Sequence, residues 1–406
     1  MSDARAVPQV DCRYFNGYKP CGRSEQCAAS CEKKETVTTH VLLIHLGALG
    51  AVVRSTALLP AIRRRYPHSH ITWVTDRPAD RLLAGHPLVD RVVVNDHDGI
   101  LELRAMSFDV ALVVDKSRRA SGILASTSAD LVQGFKAEGN GAIVPANPEA
   151  QELWEIGLSD HVKFHVNRKT ETQLIHEALD LGPWQRDPYS LHLAPDEQKQ
   201  VSLRRLEWGK GHRAIIGINT GCAATLPAKK LSVAGHVELI SRLLAESNGI
   251  SIVLLGGRED AARNFEITCG VFKRTGKAVI ESPTEGGLRD GLVSVAACDV
   301  VISGDSLGMH MAIAMGLPVV AWFGPSCAHE IDLYGRGVAI QTKATCSPCW
   351  KRHCPKQDTK ETMCYDQIDW TEMVNAVYAL LSDSHSANRL PGRYTSVDPS
   401  GSSASC

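Results

Sequence analysis

The chain has no stretch approaching the ~18 consecutive apolar residues of a membrane-spanning helix. Its first residues, Met1 to Val10, are polar and lack the apolar core of a secretory signal peptide. The expectation is therefore a cytoplasmic chain, at most peripheral to a membrane. Charge of one sign is missing too: 44 Lys and Arg stand against 45 Asp and Glu, a formal net charge of -1. That gives no electrostatic reason to bind nucleic acid. Local basic patches such as Arg63-Arg64-Arg65 remain. Neither GxGxxG nor GxxxxGK[ST] occurs at the glycine turns, so nothing supports a dehydrogenase or a P-loop NTPase. No internal repeat of solenoid period is present.

What is there suits two domains. A chain of 406 residues, 44% apolar, exceeds one ordinary core. Short apolar runs alternate with helix-like stretches, which implies parallel sheets covered on both faces. In the first half the strands are Val41 to Ile44, Ile71 to Val74, Val92 to Val94 and Val110 to Val114. One helix is expected over Val52 to Tyr66 and another over Thr170 to Leu181, stopped by Gly182-Pro183. A charged segment, Asp196 to His212, reads as a linker or linking helix. The second half repeats the alternation at Ala214 to Ile218, Ile252 to Leu255, Val300 to Ile302, Val319 to Phe323 and Val338 to Ile340. The organisation is a cysteine-rich segment (1–39), an α/β domain (40–195), a second α/β domain (196–383) and a disordered tail (384–406) rich in Ser, Pro and Gly.

Two turns stand out. His45-Leu46-Gly47-Ala48-Leu49-Gly50 leaves the first strand of the first domain, and Ser303-Gly304-Asp305-Ser306-Leu307-Gly308-Met309-His310 leaves a strand of the second. Each joins an apolar strand to a helix through glycine, where open α/β sheets bind ligands. Together they read as two halves of one sugar-nucleotide site. Asp305 or Ser306 can cap the following helix, whose N-terminus offers N–H donors to an anion. Gly308 would let a diphosphate approach the backbone; an ordinary capped helix explains the same residues. Asn219-Thr220-Gly221 and Lys229-Lys230 follow the first strand of the second domain. Lys229 can neutralise a leaving phosphate, though a solvated lysine pair is the commoner outcome. Glu259, after Leu254-Leu255-Gly256-Gly257-Arg258, fits a ribose partner or a helix N-terminus equally well.

These segments resemble glycosyltransferase family 9, the ADP-heptose:lipopolysaccharide heptosyltransferases. The family's first signature is close to LGALGDVxRTTPLLxALRRRYP, and here Leu46 to Pro67 reads LGALGAVVRSTALLPAIRRRYP. The late signature is an Asp-bearing turn, a His, then a strand ending Phe-Gly-Pro-Ser/Thr; it matches Asp305 to Ser326. The resemblance spans about Val41 to Leu381. It implies the GT-B fold, two Rossmann-like domains with the donor in the C-terminal one and the acceptor over the N-terminal one. It implies inverting transfer without a catalytic metal, with heptose from ADP-heptose passed to a lipopolysaccharide core or other glycan acceptor. Such an acceptor allows peripheral contact with the cytoplasmic face of the inner membrane. Thr220, Gly221 and Lys229 would then hold the donor phosphates, Glu259 would lie near the ribose, and Asp305, Ser306, Leu307, Gly308 and His310 would line the donor site. The family commonly has Asp-Thr-Gly-Leu-x-His where this chain displaces the glycine by one position.

One departure concerns the chemistry. Where the family has its general-base Asp after the LGALG turn, this chain has Ala51. Asp115, ending the strand Val110 to Val114, is the replacement base to expect; His45 is the alternative, with a packed structural histidine or a simple helix cap as the ordinary explanations. A second function also follows from Ala51: a catalytically degenerate GT-B scaffold or binding protein.

The 13 cysteines cannot all pair with one another. Four form Cys346-x2-Cys349-x4-Cys354-x9-Cys364 and four Cys12-x8-Cys21-x5-Cys27-x3-Cys31. The first group resembles a cysteine-bearing loop of some family members, of which the related protein heptosyltransferases have an iron-binding finger. Four thiolates suit structural Zn or Fe or an iron–sulfur cluster; free thiols are the alternative. A metal there would brace a loop, not do chemistry.

Overall fold

The computed structural model describes residues 9–19, 21–28, 31–356 and 363–387. Its strands form two six-stranded sheets. The first holds β1 (Thr39–Ile44), β2 (Ser69–Thr75), β3 (Arg91–Val94), β4 (Ser107–Val113), β5 (Ser128–Ala137) and β6 (Ile143–Pro145), in the order β3-β2-β1-β4-β5-β6. The second holds β7 (Ala214–Asn219), β8 (Ile250–Leu255), β9 (Ile280–Glu281), β10 (Val300–Gly304), β11 (Val319–Phe323) and β12 (Gly337–Gln341), in the order β12-β11-β10-β7-β8-β9. From its other edge the second order repeats the first. Each is the doubly wound order, and each reverses once, between β1 and β4 and between β7 and β10. Ligand crevices open at such reversals, beyond the carboxyl ends of the strands.

Burial explains the strands. Val41 to Ile44 are completely buried, and β8, β10 and β11 are buried along their length. Strands covered on both faces read as continuous apolar runs, so these are the legible ones. β5 is not. Its first residues are largely exposed, and Gly134 bends it at φ +97° where a side chain would strike Val113 O. The first sheet also departs from the all-parallel expectation, because β6 runs antiparallel to β5 at the edge.

The helix expected over Val52 to Tyr66 is two helices, Leu49–Ser55 and Leu58–Arg65. Thr56 lies at the break, its buried hydroxyl bonding Val53 O at 2.6 Å and accepting from Ser190 N at 2.9 Å. The charged segment forms the helix Pro195–Trp208. The helix Trp370–Ala387 continues into the tail expected from 384; residues 388–406 lie outside the described residues. The basic run is not a free patch: Arg63 pairs with Asp90, Arg64 with Asp187 and Arg65 with Asp180. Asp90 also takes Arg13 at 2.5 Å, which ties the cysteine-rich segment to the first sheet.

The two halves meet through apolar contact. Val53, Ala57 and Leu82 of the first share one buried cluster with Leu292, Val293, Met309 and Ala312 of the second. Among the described residues no helix is long and apolar enough to cross a membrane.

Candidate functional site

The two glycine turns face each other across this interface. A Cβ at Gly50 would lie 2.5 Å from His310 Cδ2. Glycine at that position therefore permits the helices Leu49–Ser55 and Leu307–Ala314 to approach. The first sheet's reversal point thus adjoins the second's.

On the first side, Asp115 follows β4 and reaches back to the turn after β1. Its Oδ2 accepts from Leu46 N at 2.5 Å. Burial pushes its carboxyl up to about 6, with Asp76 adding to the rise and the Leu46 N–H, Arg119 and Lys116 opposing it. His45 Nε2 lies 3.7 Å from Asp115 Oδ1. Burial, reinforced by Arg54, holds His45 down at about 3, so it stays neutral and a poor proton acceptor. Ala51 lies in the first turn of the helix Leu49–Ser55.

On the second side, Lys229 Nζ sits 2.5 Å from Asp305 Oδ2, both largely buried. His310 Nε2 lies 3.6 Å from the other Asp305 oxygen. Burial would raise the Asp305 carboxyl, but the His310 contact and the Lys229 charge hold it well below the usual range. Burial lowers His310, against the pull of Asp305. A Cβ on Gly304 would meet Lys229 O at 2.2 Å, so glycine there lets the lysine's backbone cross the end of β10.

The helix cap expected at Asp305 or Ser306 takes another form. Ser306 holds the N-cap position of the helix Leu307–Ala314, but neither it nor Asp305 caps the helix. The Ser306 hydroxyl accepts instead from Asn219 Nδ2 at 2.9 Å and lies 3.2 Å from Ser303 Oγ. The first-turn N–H groups consequently have no side-chain cap. Gly308 makes room for Asn219, whose Oδ1 would sit 2.6 Å from a Cβ there. Thr220 Oγ1 is turned into the fold, 3.0 Å from Leu255 O and 2.5 Å from Asn264 Oδ1. Gly221 packs on Asp260. Glu259 is exposed just past the end of β8, while its neighbour Asp260 is buried and accepts from Gly257 N at 3.0 Å. Leu307 is partly buried against the interface cluster.

Gly304-Asp305-Ser306-Leu307-Gly308 also spells Gly-x-Ser-x-Gly, the strand–turn–helix elbow of serine hydrolases. Reading the sequence as free of a Ser-centred elbow is therefore corrected: the motif is present. Among the described residues the Ser306 hydroxyl bonds Asn219 and Ser303, and neither is a base that could activate it as a nucleophile.

A charged layer unforeseen in the sequence joins these two sides. Arg54 is buried and paired with Glu171 at 2.6 Å. Lys163 Nζ stands 3.6 Å from Glu330, whose carboxyl burial and Glu171 push upward. Burial lowers Lys116 against the pull of Glu171. The Arg of the first signature was the only available signal; its partners lie far away in sequence.

Each cysteine group gathers around one small cavity: Cys346, Cys349, Cys354 and Cys364 around one, and Cys12, Cys21, Cys27 and Cys31 around another. Burial, aided by the other three thiols, pushes Cys364 up to about 11. Every described cysteine is free of disulfides. A tetrahedral thiolate site needs all four sulfurs about 2.3 Å from one point. Among the described residues no group of three or more His, Cys, Asp or Glu stands in position to hold a metal ion. The expected metal sites on these eight cysteines are therefore gathered but not formed as coordination shells.

Comparison with known proteins gives a consistent picture. The model of glycosyltransferase family 9 (heptosyltransferase) matches residues 100–360. Lipopolysaccharide heptosyltransferase 2 of Salmonella typhimurium is 24% identical over 299 residues, covering 70% of this chain and 83% of that protein. The structure of E. coli ADP-heptose lipopolysaccharide heptosyltransferase II matches with a TM-score of 0.64 at 19% identity, over 85% of this chain and 99% of that one. The iron-containing dodecameric glycosyltransferase TibC of enterotoxigenic E. coli matches with a TM-score of 0.50 at 14% identity, over 86% and 77%. At these identities the structural likeness speaks for the GT-B fold alone.

Proposed function

The chain belongs to glycosyltransferase family 9, and on that premise we propose that it is an inverting transferase moving heptose from ADP-heptose to a lipopolysaccharide core-type acceptor. The observation that carries this reading is the meeting of the two reversal points, with a raised carboxyl on one side and a buried lysine beside an uncapped helix start on the other. The acceptor hydroxyl gives its proton to Asp115 and attacks the anomeric carbon, and ADP departs from the opposite face. A base works best with a pKa near the working pH, which the burial of Asp115 favours. Lys229 and the first-turn N–H groups of Leu307–Ala314 take the charge that develops on the diphosphate. In this reading Asp305 and His310 position Lys229, and Glu259 meets the ribose. No step uses a metal.

Ala51 supports one rival reading, a degenerate scaffold that binds nucleotide sugar without turning it over. ADP release from ADP-heptose, with and without acceptor, separates the two. Acceptor-dependent release supports transfer; ADP-heptose binding without release supports the scaffold.

The proposal includes structural Zn or Fe on Cys346, Cys349, Cys354 and Cys364, supported by their common cavity and by the thiol-rich donor set. Cys12, Cys21, Cys27 and Cys31 offer the same donors at a second site. Elemental analysis of protein purified without chelators should find Zn or Fe. Metal content unchanged after replacing the first four with Ser would remove that assignment.

A further inference from the structure

The segment between Cys346 and Cys354 brings an aromatic side chain to the lysine just described. Trp350 has φ +50°, a conformation that side chains rarely adopt and that persists only where surroundings impose it. Here the surroundings are the turn after β11. Cys349 N and Trp350 N both donate to Pro325 O at 2.9 Å, and the Ser347 hydroxyl donates to Gly324 O.

So held, the indole ring meets two ammonium groups from opposite halves of the molecule. Lys229 Nζ lies 4.1 Å from the ring centroid and Lys163 Nζ 4.7 Å. Both distances fall within cation–π range. The indole Nε1–H is buried and has no acceptor among the described residues. A buried donor of that kind is costly until an acceptor reaches it. Trp offers a donor only, as does each ammonium, so the group as a whole suits an anion with several acceptor oxygens. Asp305 pairs with Lys229 and Glu330 with Lys163, whereas the indole N–H of Trp350 has no partner among the described residues.

We propose that Trp350 is a wall of the donor's diphosphate pocket: its face fixes Lys229 and Lys163, and its N–H donates to a phosphate oxygen. This rests on the donor-site reading above. It gives the cysteine segment a place in substrate binding through the residue it carries, independent of whether its thiols hold a metal.

Calorimetric titration of the full chain with ADP and with adenosine tests this. For Trp350→Ala, ADP should bind about 10-fold more weakly while adenosine affinity is unchanged, because only the diphosphate is served. Trp350→Phe keeps a ring over the ammonium groups and removes the N–H; it should lose about 3-fold for ADP and nothing for adenosine. If the Ala variant does not fold, the Phe variant alone decides on the same selective loss. ADP binding within experimental error of wild type in the folded variants overturns the proposal, as does an equal loss for ADP and adenosine. Wild type that binds no ADP overturns the donor-site reading itself and this inference with it; wild type that binds ADP while the variants do so equally overturns this inference only.

Discussion

At neutral pH the fold keeps Asp115 charged where burial opposes charge. An unfolded Asp titrates near 3.9, and in the fold Asp115 is raised to about 6. Between those values the folded state holds the extra proton, so stability falls as pH rises, and above about 6 the full cost is present. A rise of that size corresponds to about 2–3 kcal/mol as an upper figure. Asp115→Asn keeps the acceptor for Leu46 N and removes the charge. It should raise stability above pH 6 by up to about 2 kcal/mol while lowering kcat roughly 10²–10⁴-fold. Wild-type kcat/KM should fall as pH drops through about 6, when the base is protonated. Denaturant melts from pH 4 to 8 and a pH–rate profile measure both. An active, less stable Asn variant would remove Asp115 from the mechanism. Lys229 differs, because its charge is answered. Lys229→Ala strands the buried Asp305 carboxylate, and loss of one partner of such a pair costs about 3–5 kcal/mol. Lys229→Ala with Asp305→Asn should recover most of that stability but not donor use, since the phosphate has still lost its ammonium. Recovery of both would assign Lys229 a purely structural role.

At the scale of elements, the approach of Leu49–Ser55 to Leu307–Ala314 depends on one missing methyl group. Gly50→Ala places a Cβ 2.5 Å from a histidine ring atom, and that ring is confined by burial and by Asp305. Overpacking of this kind typically costs about 1–3 kcal/mol, and His310 must turn away from Asp305. The melting temperature should fall and donor KM should rise; an unchanged melting temperature would mean the two helices part easily. The elements also separate what sequence could reveal from what it could not. β7, β8, β10 and β11 were legible because both faces are covered and their residues are predominantly apolar. β5 carries a mixed, half-exposed pattern, and the helix break at Thr56 comes from a tertiary contact with Ser190. The cap expected at Ser306 does not form because local chemistry favours a cap but Asn219, distant in sequence, takes the hydroxyl.

Across the whole molecule, the repeated strand order sets out the site before any side chain is considered: two reversal points, brought together by an apolar interface that both halves share. The glycine turns and Asp115 could be found in sequence because they lie at strand ends. Glu330, Lys163 and Trp350 could not, since folding alone brings them to Lys229 and Arg54. Cross-links between the halves include Lys163–Glu330 at 3.6 Å and Arg186–Asp332 at 2.6 Å. The measurement that tests the central claim most directly is ADP release from ADP-heptose by wild type and Lys229→Ala, with and without a lipopolysaccharide-core acceptor. A charge-assisted contact to phosphate is worth about 1.5–3 kcal/mol, so wild type should release ADP only when acceptor is present, and Lys229→Ala should lose roughly 10- to 150-fold in kcat/KM. ADP-heptose that binds wild type but is never cleaved in the presence of acceptor would contradict the transferase reading and leave the scaffold in its place.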